Sequence, residues 1–180
     1  MKITKTEIED LIIIEPEIFR DQRGYFYEGY NKDVYFKNDI KTEFVQDNYS
    51  FSNKGTLRGL HYQLGKYSQA KLVQVLSGRV LDIAVDLRKE SSTYGQHFKH
   101  ILSGENKKQL YIPVGFAHGF LSLEDNTILN YKCSDYYNAN TEASILWNDP
   151  NLAIDWGIDN PILAEKDQLA QNFITFENPF

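Results

Sequence analysis

Only one cysteine, Cys133, occurs in the 180 residues, which excludes an intrachain disulfide and a multi-cysteine zinc site. Long apolar runs are also missing. The longest near the amino terminus, Leu11 to Ile14, is too short for a signal-peptide core or a membrane span. Positive charge is in deficit: 19 Lys and Arg face 25 Asp and Glu, a formal net charge of −6 that argues against a nonspecific nucleic-acid partner. No stretch is rich in Pro, Gly or Ser, and no segment repeats. The expectation is one soluble, cytoplasmic domain over residues 1–180, with neither nucleic acid nor membrane among its partners.

Aromatic residues, by contrast, are plentiful, with 12 Tyr and 11 Phe spread along the chain. Flat rings pack well on a pleated sheet. The apolar runs Lys71–Leu76 and Val80–Val85 flank Ser77-Gly78-Arg79, and this spacing predicts a hairpin. Shorter strand-like runs are Gly24–Tyr30, Thr56–His61, Phe98–Leu102, Gln109–Ile112, Phe116–Leu123, Ile128–Cys133 and Ser144–Trp147. Many short strands separated by Gly, Asn, Asp and Ser clusters predict an all-β, antiparallel double-sheet sandwich or barrel. Helix is confined to Lys32–Asn38 and a short piece, Ala164–Ala170, near the carboxyl end. Cys133 lies in an alternating run and reads as a buried, inert strand cysteine.

The chemistry concentrates in Gly55-Thr56-Leu57-Arg58-Gly59-Leu60-His61-Tyr62-Gln63. Its glycine-to-histidine spacing resembles the first motif of the cupins, a jelly-roll superfamily, and Pro113-Val114-Gly115-Phe116-Ala117-His118 resembles the second. In metal-binding cupins two histidines and a glutamate of the first motif join the histidine of the second around one ion. Here Gln63 stands in place of the second histidine, and Lys71 falls where the glutamate would lie ahead of Gly78. An ammonium repels a divalent cation, so no metal is expected. A fixed positive charge instead suits a reaction that develops an enolate oxygen. A nearby histidine suits removal of a proton beside a carbonyl, and a phenol on the other face can return it.

These residues lie among blocks similar to the dTDP-4-dehydrorhamnose 3,5-epimerase family. The blocks include Phe19–Glu28, Gln46–Ser50, Leu57–Gln63, Gln69–Val73, Asp82–Arg88 and Ile112–Phe120, then Tyr131–Cys133, Trp147–Pro150, Ile154–Trp156 and Leu163–Asp167. They run in order from about Phe19 to Asp167. The resemblance implies inversion of C3 and C5 of dTDP-4-dehydro-6-deoxy-D-glucose without a cofactor. It implies His61 as the base, oriented by Asp167, with Lys71 stabilising the enolate and Tyr131 delivering a proton from the opposite face. Arg23, Glu28, Gln46, Asp47, Asn48, Arg58, His118, Glu142 and Lys166 would bind the sugar nucleotide together with Lys71, and Tyr137 would stack on the base. A homodimer with exchanged amino-terminal strands is implied as well. The chain departs from the family at Tyr49, Phe51, Gln74, His97 and Leu146, none of them in the proposed catalytic set.

Other readings compete. Asp167 is also a natural cap for the short helix near it. Lys71 would ordinarily face water on an edge strand, and Arg23 and Arg58 would ordinarily be surface ion-pair partners. His118 has a structural reading, hydrogen-bonded to Asp82. The functional alternatives are a single-centre 3- or 5-epimerase, a 3,4-ketoisomerase, and a non-catalytic nucleotide-sugar module. A metal-dependent oxygenase is disfavoured by Gln63 and Lys71.

Overall fold

The computed structural model describes residues 1–180. Its strands are β1 (Lys2–Lys5), β2 (Ile12–Glu15), β3 (Phe19–Asp21), β4 (Gly24–Phe26), β5 (Gln46–Ser52), β6 (Leu57–Gln63), β7 (Lys71–Ser77), β8 (Arg79–Asp86), β9 (His97–Ser103), β10 (Gln109–Ile112), β11 (Phe116–Ser122), β12 (Thr127–Cys133) and β13 (Glu142–Ser144). Two short helices, α1 (Lys32–Lys37) and α2 (Glu165–Gln168), accompany them. No helix is long and apolar enough to cross a membrane.

One antiparallel sheet runs β1-β2-β10-β7-β12-β5 and the other β13-β6-β11-β8-β9, which is the expected jelly roll. Alternate residues of both sheets meet in an inner core: Val73, Val75, Leu110 and Leu129 from the first, Val80, Ala84, Phe98 and Phe120 from the second. The outer face of the second sheet is covered as well. Leu57, Leu60, Tyr62, Ile83 and Val85 pack there against Ile145, Leu152, Trp156 and Phe176 of the carboxyl-terminal segment. Burial on both faces explains why β8 reads as a continuous apolar run rather than an alternating one. Asp82, the polar break in that run, is sealed inside and accepts from His118.

The expected hairpin of β7 and β8 does not form. The strands follow each other across a tight turn, yet β7 pairs with β10 and β12 while β8 pairs with β11 and β9. The turn carries the chain from one sheet to the other. Gly78 adopts φ +77° with Thr127 so close that a Cβ would lie 2.3 Å from its Oγ1, so only glycine fits this corner. Because both runs are apolar on both faces, periodicity carries no information about which strands pair.

The amino-terminal strands β1 and β2, and the edge strand β5, were not expected from pattern. In β5 the inward positions are Gln46, Asn48 and Ser50, so the strand lines a polar cavity and lacks the apolar alternation of a core strand. Gly24–Tyr30 proves to be strand only over Gly24–Phe26, which pairs with β3 in a separate two-stranded arm. The run expected at Ser144–Trp147 is strand only over Glu142–Ser144, as β13.

Candidate active site

A bulge in β6 aims the central residues. Across β11, His118 faces His61 while Phe120 faces Arg58, so β6 holds one extra residue between these pairs. Gly59, at φ +146°, lies against Gly119, whose Cα is 2.5 Å from where a Cβ would sit. Leu57 and Leu60 are therefore both outside, and His61 and Gln63 both line a cavity of about 230 Å³ between the sheets. Tyr131 and Cys133 of β12 and Gln46 and Asn48 of β5 form the facing wall.

His61 Nε2 lies 2.6 Å from Oδ1 of Asp167, which is 1% exposed on α2. The capping alternative for Asp167 fails: Ala164 is the N-cap, no side chain caps the helix, and the carboxylate turns to His61. With Nε2 engaged, Nδ1 is the ring atom left for a substrate. Lys71 begins β7, a central strand, and is 8% exposed, so the edge-strand reading fails too. Its Nζ donates to the carbonyl oxygen of His61 at 3.3 Å. Burial pushes the lysine pKa down, against the opposing pull of Cys133, Asp82 and Glu142. Burial has the reverse effect on Tyr131, raising the phenol's pKa although the Arg58 charge works the other way. The Cys133 thiol is likewise pushed up by burial and stays neutral, as expected of an inert cysteine.

A chain of polar contacts continues toward solvent. Gln46 Nε2 donates to Asn48 Oδ1 at 3.0 Å, and the Tyr137 backbone N–H donates to Gln46 Oε1 at 2.9 Å. Tyr137 Oη donates to Glu142 Oε2 at 3.2 Å, and Lys166 Nζ donates to Glu142 Oε1 at 2.7 Å. Burial would raise the Glu142 pKa, but the Lys166 contacts outweigh it and hold the carboxylate ionised. The Arg58 guanidinium is held by Ser52 Oγ and the Phe51 carbonyl, on β5 of the opposite sheet.

Arg58 and Lys166 are not part of the cavity wall, though Lys166 is bonded to Glu142 of it, and four other expected binding residues lie elsewhere. Asp47 alternates to the outer face of β5, where it pairs with Lys132 at 2.7 Å. Arg23 sits on the β3–β4 arm with its guanidinium on Asp21, and Glu28 accepts from Asn31 Nδ2. Neither of these two lines the cavity. His118 is buried with Nε2 3.0 Å from both oxygens of Asp82, as its structural reading has it, and is not part of the cavity wall. Conversely Tyr62, Gln63, Gln69 and Cys133 line the cavity without having been expected to bind substrate. The signal for two of them was parity, since Gln63 and Cys133 stand two residues from His61 and Tyr131 on the same strand faces.

A carboxylate-oriented imidazole on one wall, a protonated phenol on the other and a buried ammonium beside the imidazole suit proton removal and return on opposite faces of one carbon. The sequence pattern of the dTDP-4-dehydrorhamnose 3,5-epimerase family matches residues 5–174. The dTDP-4-dehydrorhamnose 3,5-epimerase of Shigella flexneri is 49% identical over 97% of each chain. A crystal structure of that enzyme from Elizabethkingia anophelis is 51% identical over 97% of both chains, with a TM-score of 0.91. The dTDP-6-deoxy-D-glucose-3,5-epimerase of Legionella pneumophila, solved with dTDP-4-keto-L-rhamnose, is 49% identical, covers 98% of this chain and 94% of its own, and gives a TM-score of 0.94.

Proposed function

The chain belongs to the dTDP-4-dehydrorhamnose 3,5-epimerase family, and on that premise we propose that it inverts C3 and C5 of dTDP-4-dehydro-6-deoxy-D-glucose to give dTDP-4-dehydro-L-rhamnose. The observation that carries the reading is that His61 and Tyr131 line one cavity from two different sheets, with Lys71 bonded to the backbone of His61.

His61 removes the proton from the carbon beside the C4 ketone, and the electron pair of that C–H bond moves into the C4 oxygen. The ketone itself acidifies both neighbouring C–H bonds, so the reaction calls for no cofactor. The Lys71 ammonium, itself only 8% exposed, faces the resulting enolate oxygen, where one charge weighs more than it would in water. Tyr131 then donates its phenolic proton to the same carbon from the other face. The carbon is inverted, the enolate returns to a ketone, and solvent restores both protein groups before the second centre reacts. Asp167 keeps the proton of His61 on Nε2 and balances the imidazolium as it forms.

Gln46, Asn48, Arg58, Glu142 and Lys166 hold the sugar nucleotide, with Tyr137, 52% exposed, free to stack on its base. Arg23 and Glu28 stand outside the cavity of their own chain, Arg23 on an arm whose Phe19, Tyr25 and Phe26 are each more than half exposed and Glu28 just beyond it. Because β1 and β2 pair within their own sheet, the homodimer with exchanged amino-terminal strands that the resemblance implies would use the β3–β4 arm to bring these residues to the partner. We place the enzyme in the cytoplasm, where sugar nucleotides are made.

The test is proton NMR of the purified protein with the 4-keto sugar nucleotide in heavy water. Loss of both the C3 and C5 signals is expected, with the L-configured product formed. Tyr131→Phe should cut product formation at least about a hundredfold while still exchanging substrate protons, since His61 can return deuterium to the face it took from. Loss of one signal alone means a single-centre epimerase, and no exchange removes the assignment.

A further inference from the structure

Gln63 occupies the position of a metal-ligating histidine in the cupin pattern, and the mechanism above gives it no task. Its side chain is 5% exposed and lines the cavity. The carboxamide has a fixed orientation. Oε1 accepts from Thr141 Oγ1 at 2.7 Å and faces the backbone N–H of Asn138 at 3.4 Å. A backbone N–H only donates, so the reverse orientation would set donor against donor. Nε2 is thereby turned away from the 138–141 segment, and it donates to no protein group although it is not sealed off. A donor held in one orientation, open to the cavity and without a protein acceptor, is free to donate to a ligand there.

The position says which part of the ligand. Gln63 and His61 point to the same face of β6 and stand two residues apart, about 7 Å along a strand. A pyranose is about as wide as that gap. When the imidazole sits at a ring carbon, the Gln63 amide reaches an oxygen carried by the same ring.

On the epimerase reading, we propose that Gln63 is a further substrate-binding residue, whose amide N–H donates to an oxygen of the hexose and holds the ring in place over His61. The competing role is purely structural: through Oε1 the side chain also anchors the segment between Tyr137 and Glu142, both of which line the cavity.

Two substitutions separate these roles. Gln63→Leu removes both functions. Gln63→Glu keeps an oxygen for Thr141 and Asn138 but replaces the donor with an acceptor. If the amide binds the sugar, both variants lose about tenfold or more in kcat/KM, the worth of one hydrogen bond to substrate. The affinity of Gln63→Glu for dTDP, which has no hexose, stays within about twofold of the parent by calorimetry. Rescue of kcat/KM by Gln63→Glu would overturn the proposal and leave the anchoring role. An equal loss of dTDP affinity in both variants would overturn it too. The parent enzyme, assayed alongside, separates the two inferences: if it is active and Gln63→Leu matches it, only the Gln63 role falls. If the parent neither turns over nor exchanges the substrate, the epimerase reading falls and this one with it.

Discussion

Replacing Asp167 by Asn isolates what the carboxylate does for His61. The side chain keeps its shape, is sealed at 1% exposure, and stands 2.6 Å from Nε2. In the ground state the bond joins a carboxylate to a neutral ring, whereas in the transition state the ring becomes an imidazolium. A hydrogen bond to a charged group contributes about 1.5–3 kcal/mol, against about 0.5–1.5 kcal/mol for a neutral pair. The asparagine oxygen can still accept from Nε2–H, and although the ground state also loses part of this bond, the barrier rises by the lost attraction between carboxylate and imidazolium, roughly 1–2 kcal/mol, which only the transition state feels. That amounts to about 5- to 30-fold in kcat. Should the amide instead present Nδ2, the ring is held with its proton on Nδ1, no base faces the cavity, and the loss approaches the full worth of general base catalysis, about 10²–10⁴-fold. Because the interaction strengthens only as charge develops, kcat and kcat/KM should fall together with KM nearly unchanged. The assay is initial-rate epimerisation under saturating substrate, alongside deuterium uptake at C3 and C5. Wild-type kcat, or a defect confined to KM, would refute the orienting and charge-balancing role.

Two further outcomes follow from the same geometry. Lys71 must be charged to meet an enolate, and its burial lowers its pKa, so kcat should decline as pH rises through a value below the ordinary 10.5 of lysine. Lys71→Arg, which stays charged, should move that decline to higher pH, and an unmoved alkaline limb would show that another group titrates there. The exposed aromatics of the β3–β4 arm predict that the 20.9 kDa chain sediments as a dimer. Phe19→Asp with Phe26→Asp should shift it toward monomer and weaken substrate binding, and a monomeric parent would remove the exchanged-arm proposal.

Much of this molecule was legible in its residues. The density of aromatic and β-branched runs dictated an all-β fold, because only paired, two-layered sheets bury that pattern. The spacing of Gly55, His61, Lys71, Gly78 and His118 marked out a cupin-like site with an ammonium in place of a carboxylate ligand. Ordered similarity over the chain then supplied the partners Tyr131 and Asp167, which no local pattern links to His61.

Other features are decided only by tertiary structure. That β7 and β8 lie in different sheets depends on strand pairing, to which runs apolar on both faces are blind. Strand β5 escaped notice because its inward residues serve a polar cavity and so break the alternation by which a strand is recognised. Asp47 was expected beside Gln46 and Asn48 from the resemblance, but strand geometry turns every second side chain away. The bulge at Gly59 does the opposite, bringing Leu57 and Leu60 to one face and freeing His61 for the other. Sequence determines which chemical groups the chain carries. Their direction depends on registers and bulges set by contacts between strands distant along the chain, here by Gly119 packed against Gly59.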